Sequence, residues 1–256
     1  MIKKGIWFCL LFLCCFDCQI FGEGRVSGWI QKIDDQMEMR QDLSAKVALT
    51  QQRVSEGVKV YDMVYFRKDT DDSFLMTFSS PESERGNGYL KVGENFWMYR
   101  RNTRTFQHIA RDESIGGTEA NADDFEKRKL TELYQPTRGE KGEDIFTEET
   151  LGSISVYQFE LTAVVKDVKY PKKRYWIRKD NLLPLKEQNY SLSGTLMQTT
   201  YYLKYSPIET RFFPTKVLYI DEFEKGNKTL MEISGISLKP LDKTLFTKAT
   251  LETLSK

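Results

Sequence analysis

The chain has 256 residues, of which 38 are basic and 37 acidic, for a formal net charge of +1. A balance this even gives no electrostatic argument for a nucleic-acid partner and fits a neutral or apolar one. All four cysteines (Cys9, Cys14, Cys15 and Cys18) fall in the first eighteen residues and His108 is the single histidine. Beyond that segment, disulfides, thiolate chemistry and zinc sites built from several Cys and His are therefore excluded.

In chain order, Lys3 and Lys4 precede an apolar run over residues 5–16, the charged and apolar regions of a secretory signal. The run is too short to span a bilayer, which takes about 20 apolar residues. Residues 1–24 read as a signal peptide. Small residues at Gly22-Glu23-Gly24 place a mature start near Arg25. Lipidation at Cys15 or Cys18 is the alternative, although neither follows a good lipobox. Residues 25–256 are enough for one substantial domain.

Ser27 is placed to cap a first helix, in which Trp29, Ile30, Ile33 and Met37 form one apolar stripe. Strands follow. Ala45, Val47 and Leu49 alternate with Lys46 and Ala48; residues 58–66 are apolar or aromatic on both faces; Phe74, Met76 and Phe78 share a face. Turn signals at Asn87-Gly88, Gly93-Glu94-Asn95 and Asn102 separate short strands over 89–92, 96–100 and 105–109. The polar stretch 110–150 carries one expected helix over 122–134, with Ala122, Phe125 and Leu133 on a face and Asp123 and Asp124 in its first turn. A loop this long inside a compact domain is usually functional or disordered. Further strands are expected over 154–164, 173–178, 183–190, 196–205, 211–220 and 229–238, about ten to twelve in all.

The catalytic vocabulary is thin. A Ser-His-Asp or Cys-His arrangement would have to use His108, which reads more simply as a strand histidine. No GxGxxG or GxxxxGK[ST] string occurs, so a phosphate-cradling loop has no support. A carboxylate pair could hydrolyse glycans, but spacing singles out no pair. The basic clusters Arg100, Arg101, Arg104 and Lys172, Lys173, Arg174 read as solvated hairpin tips, or alternatively as contacts for anionic lipid heads or an acidic partner.

Aromatics are abundant, with 16 Phe, 13 Tyr and 4 Trp, and runs such as Phe96-Trp97-Met98-Tyr99 occupy both faces of a strand. A sheet open to water on one side alternates apolar and polar residues, so both faces are covered here. Either the sheet packs under other layers, or it curves around an apolar ligand.

The string Arg85-Gly86-Asn87-Gly88-Tyr89-Leu90-Lys91-Val92-Gly93-Glu94-Asn95-Phe96-Trp97-Met98-Tyr99, followed by Arg104 and Ile109, resembles the signature of the outer-membrane lipoprotein-sorting family, the LolA/LolB-like periplasmic lipoprotein carriers. Tyr175-Trp176-Ile177-Arg178, Leu183-Pro184-Leu185, Phe213-Pro214-Thr215 and Asp242-Lys243-Thr244-Leu245-Phe246 follow in that family's order, and the resemblance runs from about residue 43 to 254. Ser114-Ile115-Gly116-Gly117-Thr118 departs from the family's usual Met-Gly-Ser-Asp-Phe segment. The resemblance implies a mainly β protein with few helices: a strongly curved antiparallel half-barrel with a helical lid over an apolar cavity. It implies a periplasmic carrier that shields the acyl chains of a lipoprotein or phospholipid and delivers them towards the outer membrane. An inner-membrane donor complex and an outer-membrane acceptor would be its partners; the carrier would be a monomer without cofactor, metal or catalysis. On this reading Met76, Phe78, Leu90, Trp97, Tyr99 and Trp176 line the cavity, with Trp29, Ile33 and Phe125 in the lid. Core packing is the competing reading for each. The alternative function is a non-transport envelope protein, either a lipoprotein sensor or a surface-exposed, lipid-anchored binder.

Overall fold

A computed structural model describes residues 24–110, 112–126 and 129–256; all of the expected signal peptide but Gly24 lies outside them. Helix α1 (Arg25–Met37) comes first. Six strands follow: β1 (Leu43–Arg53), β2 (Gly57–Lys68), β3 (Ser73–Ser80), β4 (Gly88–Val92), β5 (Asn95–Arg100) and β6 (Thr105–His108). A one-turn helix α2 (Leu130–Leu133) leads into β7 (Tyr134–Pro136) and β8 (Phe146–Leu151). The remainder is β9 (Ile154–Ala163), β10 (Lys172–Arg178), β11 (Pro184–Tyr190), β12 (Leu196–Ile208), β13 (Arg211–Asp221), β14 (Lys228–Ser237) and a closing helix α3 (Lys248–Leu254).

The strands form one open antiparallel sheet in the order β6-β5-β4-β3-β2-β1-β14-β13-β12-β11-β10-β9-β7, with β8 also on β9. Hairpins join almost every neighbouring pair, and β1 pairs with β14 to unite the two halves. The expected half-barrel is present. Among the described residues it has fourteen strands, more than the expected ten to twelve, because β7 and β8 lie in or at the end of the stretch 110–150. The β8 segment, Phe-Thr-Glu-Glu-Thr-Leu, is exposed or half-buried throughout, so no apolar alternation marks it.

Register divides the side chains between two faces. On the inner face Val47 pairs with Met63 and Ile233, Met63 with Phe78, and Tyr65 with Met76. On the outer face Phe66 pairs with Leu75, Leu75 with Leu90, and Leu90 with Trp97. Three apolar clusters result. The β1–β5 half of the inner face is sealed by the loop after β6, which sends Ile115, Ala120 and Phe125 onto Tyr65, Phe74 and Phe78. Phe125 meets the edge of Tyr65, whose hydroxyl donates to the Phe125 carbonyl. The β9–β10 part is covered by α1, whose Val26, Trp29, Ile30 and Ile33 pack on Tyr134, Phe159, Tyr175 and Ile177. The outer cluster of Leu75, Leu90 and Tyr99 lies under Phe246 and Leu251 of the C-terminal segment. Gly88 permits that approach: a Cβ there would lie 2.7 Å from Leu251 Cδ1 and 2.5 Å from the Met76 carbonyl oxygen.

Two local expectations change. The first helix begins at its N-cap Gly24 rather than at Ser27. The Asp144 carboxylate accepts from the Val26 N–H at 3.0 Å and so supplies an acceptor at the free helix end. The stretch 122–134 is not one helix. It holds a 3-10 turn, Ala122–Asp124, closed by a capping box with Asn121, and then α2. Burying Phe125 against Tyr65 and setting Leu133 over the far half of the sheet sends the two ends of the segment to different places, and that tertiary demand overrides helix propensity.

Candidate functional site

Between the sealed β1–β5 half and the part under α1, the inner face holds a partly open cavity of about 210 Å³. Its roof is the last turns of α1 and α2, contributing Ile33, Met37, Leu130 and Leu133. Its apolar floor is Phe213, Val217, Met231 and Ile233 from β13 and β14, and its remaining walls, from β10 to β12 and from the loops that carry Asp124, Glu126 and Lys169, are largely polar. Strand alternation builds the β10–β12 wall: Tyr175 faces Glu187 across the β10–β11 ladder, Lys173 faces Asn189, and Glu187 faces Thr200 on β12.

The wall centres on a buried ion pair. Lys173 Nζ donates to Glu187 and, at 3.0 Å, to Asn189 Oδ1, while the Tyr202 hydroxyl donates to Glu187 at 3.0 Å. Burial opposes the charge on Glu187, but Lys173 and the hydroxyls of Tyr175 and Tyr202 outweigh it and hold the carboxyl below its ordinary range. Asp124 behaves oppositely. It lines the cavity and is exposed by surface area, although protein atoms surround it on most sides. Burial pushes it up to about 7, against a backbone hydrogen bond from Asn121.

The roof is clipped together by one residue. Asp34 of α1 accepts from the backbone N–H of Leu130 and Thr131, each at 2.9 Å, and from the Thr131 hydroxyl at 2.7 Å. It thereby satisfies the free amides at the start of α2. Burial raises the Asp34 pKa and these hydrogen bonds oppose the rise.

A family model described as “Uncharacterized protein” matches residues 70–253, and the chain belongs to that family. The fold has solved counterparts. A LolA superfamily protein from Nitrosomonas europaea superposes with a TM-score of 0.72 at 22% identity, covering 87% of this chain and 97% of the other. An outer membrane lipoprotein-sorting protein domain from Vibrio parahaemolyticus gives a TM-score of 0.75 at 17% identity, covering 88% and 97%. This is a LolA-like fold. A DUF1329 family protein from Desulfovibrio piger shares it, with a TM-score of 0.75 at 20% identity over 89% of this chain and 99% of the other. No curated protein matches the chain in sequence.

Within the LolA-like half-barrel the residues singled out from sequence fall in four places. Ile33 lines the cavity. Trp29 fastens α1 to the sheet, stacked on Tyr157 with ring centroids 4.2 Å apart. Met76, Phe78 and Phe125 are on the inner side but inside the sealed core. Leu90, Trp97 and Tyr99 are on the outer face under the C-terminal segment, where the Lys248 ammonium stands 4.5 Å from the Trp97 ring. Trp176 also faces outward, with the Lys186 ammonium 4.3 Å from its ring. The signature string therefore sends Phe96 and Met98 inward to the sealed core and Trp97 and Tyr99 outward.

Lys173 and Glu187 were not among the residues expected at the site. Lys173 reads in sequence as one of three exposed cations. Strand alternation is the signal that separates it, since it sets Lys173 with Tyr175 and Ile177 on one face and Lys172 with Arg174 on the other.

Proposed function

We propose that the protein is a periplasmic carrier, a single LolA-like domain over residues 25–256, that shelters the acyl chain of a lipoprotein or lipid in this cavity. The observation that carries the reading is the partly open cavity between the sheet and a two-helix roof, with an apolar floor and with Ile33, Met37, Leu130 and Leu133 in the roof. Each methylene transferred from water into such a space contributes about 0.8 kcal/mol, so one chain gives useful affinity without catalysis. The cavity volume of about 210 Å³ is below the roughly 300–1,000 Å³ usual for small-molecule pockets. Loading then requires the roof to lift, and α1 and α2 are joined across it by Asp34. The name of the lipoprotein-sorting domain that shares the fold supports an envelope role, and transfer of cargo calls for a membrane donor and an acceptor.

Mass spectrometry of the protein purified from periplasm without detergent tests this. An acylated species bound at near-unit stoichiometry is expected. A protein that is empty and also fails to take up a neutral apolar fluorophore would overturn it.

A further inference from the structure

A cavity that read acyl chains alone would gain nothing from hydrogen-bonding side chains in its wall. Asn189, Gln198 and Thr200 line this one and are 2%, 5% and 3% exposed. Their mutual hydrogen bonds are long: Asn189 Nδ2 to Gln198 Oε1 is 3.4 Å, and Thr200 Oγ1 to the same oxygen is 3.3 Å. Good N–H···O and O–H···O bonds fall at about 2.7–3.2 Å and 2.5–3.0 Å. The Gln198 carbonyl oxygen is thus weakly served on the cavity side, while its amide is firmly anchored on the Glu119 carbonyl at 2.9 Å. A ligand hydroxyl or amide N–H at this platform would make a better bond than those it replaces.

Charge narrows the ligand further. Among the described lining residues are six carboxyl and four cationic side chains. Lys173 is paired with Glu187, Lys129 with Glu38 at 3.7 Å, and Arg67 with Asp69. Lys169, the fourth cation, donates to the Asn121 side chain. On the Asn189 platform the cation at hand is Lys173, which donates to Asn189 and is paired with Glu187, so a phosphate or free carboxylate head there would have to break that pair, a costly exchange at low local dielectric. Burial also favours the neutral acid form of Asp124, which can donate to an ester or amide carbonyl.

Resting on the cavity being the ligand site, we propose that it selects an amphiphile whose head is uncharged and hydrogen-bonding, bearing hydroxyl, ester or amide groups. The head sits on Asn189, Gln198 and Thr200 and the chain lies along Ile33, Leu133 and Phe213. Two sources share that chemistry: the acylated end of a lipoprotein and a free neutral glycerolipid.

The test is displacement of N-phenyl-1-naphthylamine, a neutral fluorophore, from the purified protein. The competitors are monoolein, 1-oleoyl lysophosphatidic acid, which differs from it by one phosphate, and a synthetic triacylated lipopeptide, all below their aggregation concentrations. Monoolein should displace at a concentration at least tenfold lower than the phosphate analogue. Thr200→Val should weaken monoolein about tenfold more than the analogue, whereas a merely structural effect would weaken both alike. Glu187→Gln, which uncovers Lys173, should shift preference towards the phosphate. A lipopeptide that outcompetes monoolein identifies the lipoprotein end as the source, and the reverse identifies a free lipid; either supports the proposed class. Equal displacement by monoolein and its phosphate analogue, or preference for the phosphate in the unaltered protein, overturns the head selectivity and leaves the carrier reading standing. Failure of the fluorophore to bind protein that mass spectrometry shows to be empty overturns both.

Discussion

Asp124 gives the cavity a pH signature that one substitution isolates. Its folded pKa is raised from 3.8 to about 7, by burial first and then by the carboxylates of Asp123 and Glu187, against the Asn121 amide and Lys173. The folded chain therefore holds a proton that the unfolded chain loses near pH 4. The stability linked to that proton is full below about pH 4 and is lost as pH rises through about 7. Asp124→Asn removes the titration while keeping the shape. Urea unfolding at pH 5 and pH 8 should show the variant gaining more over the unaltered protein at pH 8 than at pH 5, by an amount that the exposure of Asp124 reduces. Glu126, also raised to about 7 by burial against its partner Lys91, leaves part of the slope in place. An unchanged pH 5-to-8 difference would mean that Asp124 is ionised across the range. None of this was legible in the sequence, where Asp123 and Asp124 read alike as acids in a helix's first turn. Both line the cavity, and only the fold shows that Asp124 carries the raised pKa.

At the level of elements, the roof depends on a contact between two short helices. A four-residue helix has no stability of its own, since nucleation is costly and short helices are marginal in water. α2 persists because Asp34 takes two of its first N–H groups and a hydroxyl. Asp34→Ala removes all three bonds and should cost about 1–2 kcal/mol, the usual range for losing a cap. In hydrogen–deuterium exchange, amides 130–134 should lose protection while those of β1 and β14 keep it. Asn in place of Asp should restore part of the protection, because it can still accept from the backbone. Retained protection at 130–134 in the Ala variant would show that α2 is held by packing alone. The sheet was far more legible than this roof. Alternation and turn chemistry located β1–β6 and β9–β14, because half-buried strands with tight turns leave a period-two trace. β7, β8 and the broken 122–134 segment left none, since their conformation is set by what they pack on. Within β5, Phe96 to Tyr99 is apolar on both faces, so no pattern could say which pair points inward.

At the level of the whole molecule, the two faces of the sheet serve different ends, and this division can be measured. The outer face is closed by the C-terminal segment, where Leu251, fully buried, packs with Leu75, Leu90 and Tyr99. The inner cavity is roofed by α1 and α2, where half-buried Leu133 faces the cavity. A sheet separates Leu251 from the cavity, so its truncation should act on folding and not on ligand. Leu251→Ala should cost about 2–5 kcal/mol, as buried Leu-to-Ala truncations do, while fluorophore affinity changes less than twofold. Leu133→Asp should act the other way. It sets a charge in the roof, where it can reach solvent when the cavity is empty but must be desolvated against the proposed acyl chain when it is full. Affinity should fall at least tenfold, with a smaller loss of stability than Leu251→Ala. Urea titration and fluorophore binding on the two variants give the four numbers needed. If Leu251→Ala weakened binding as much as Leu133→Asp, the sheet would be transmitting changes from its outer cover to the cavity. The C-terminal segment would then be part of the ligand machinery, and the aromatic signature beneath it would have a role in binding that its position on the far face does not by itself supply.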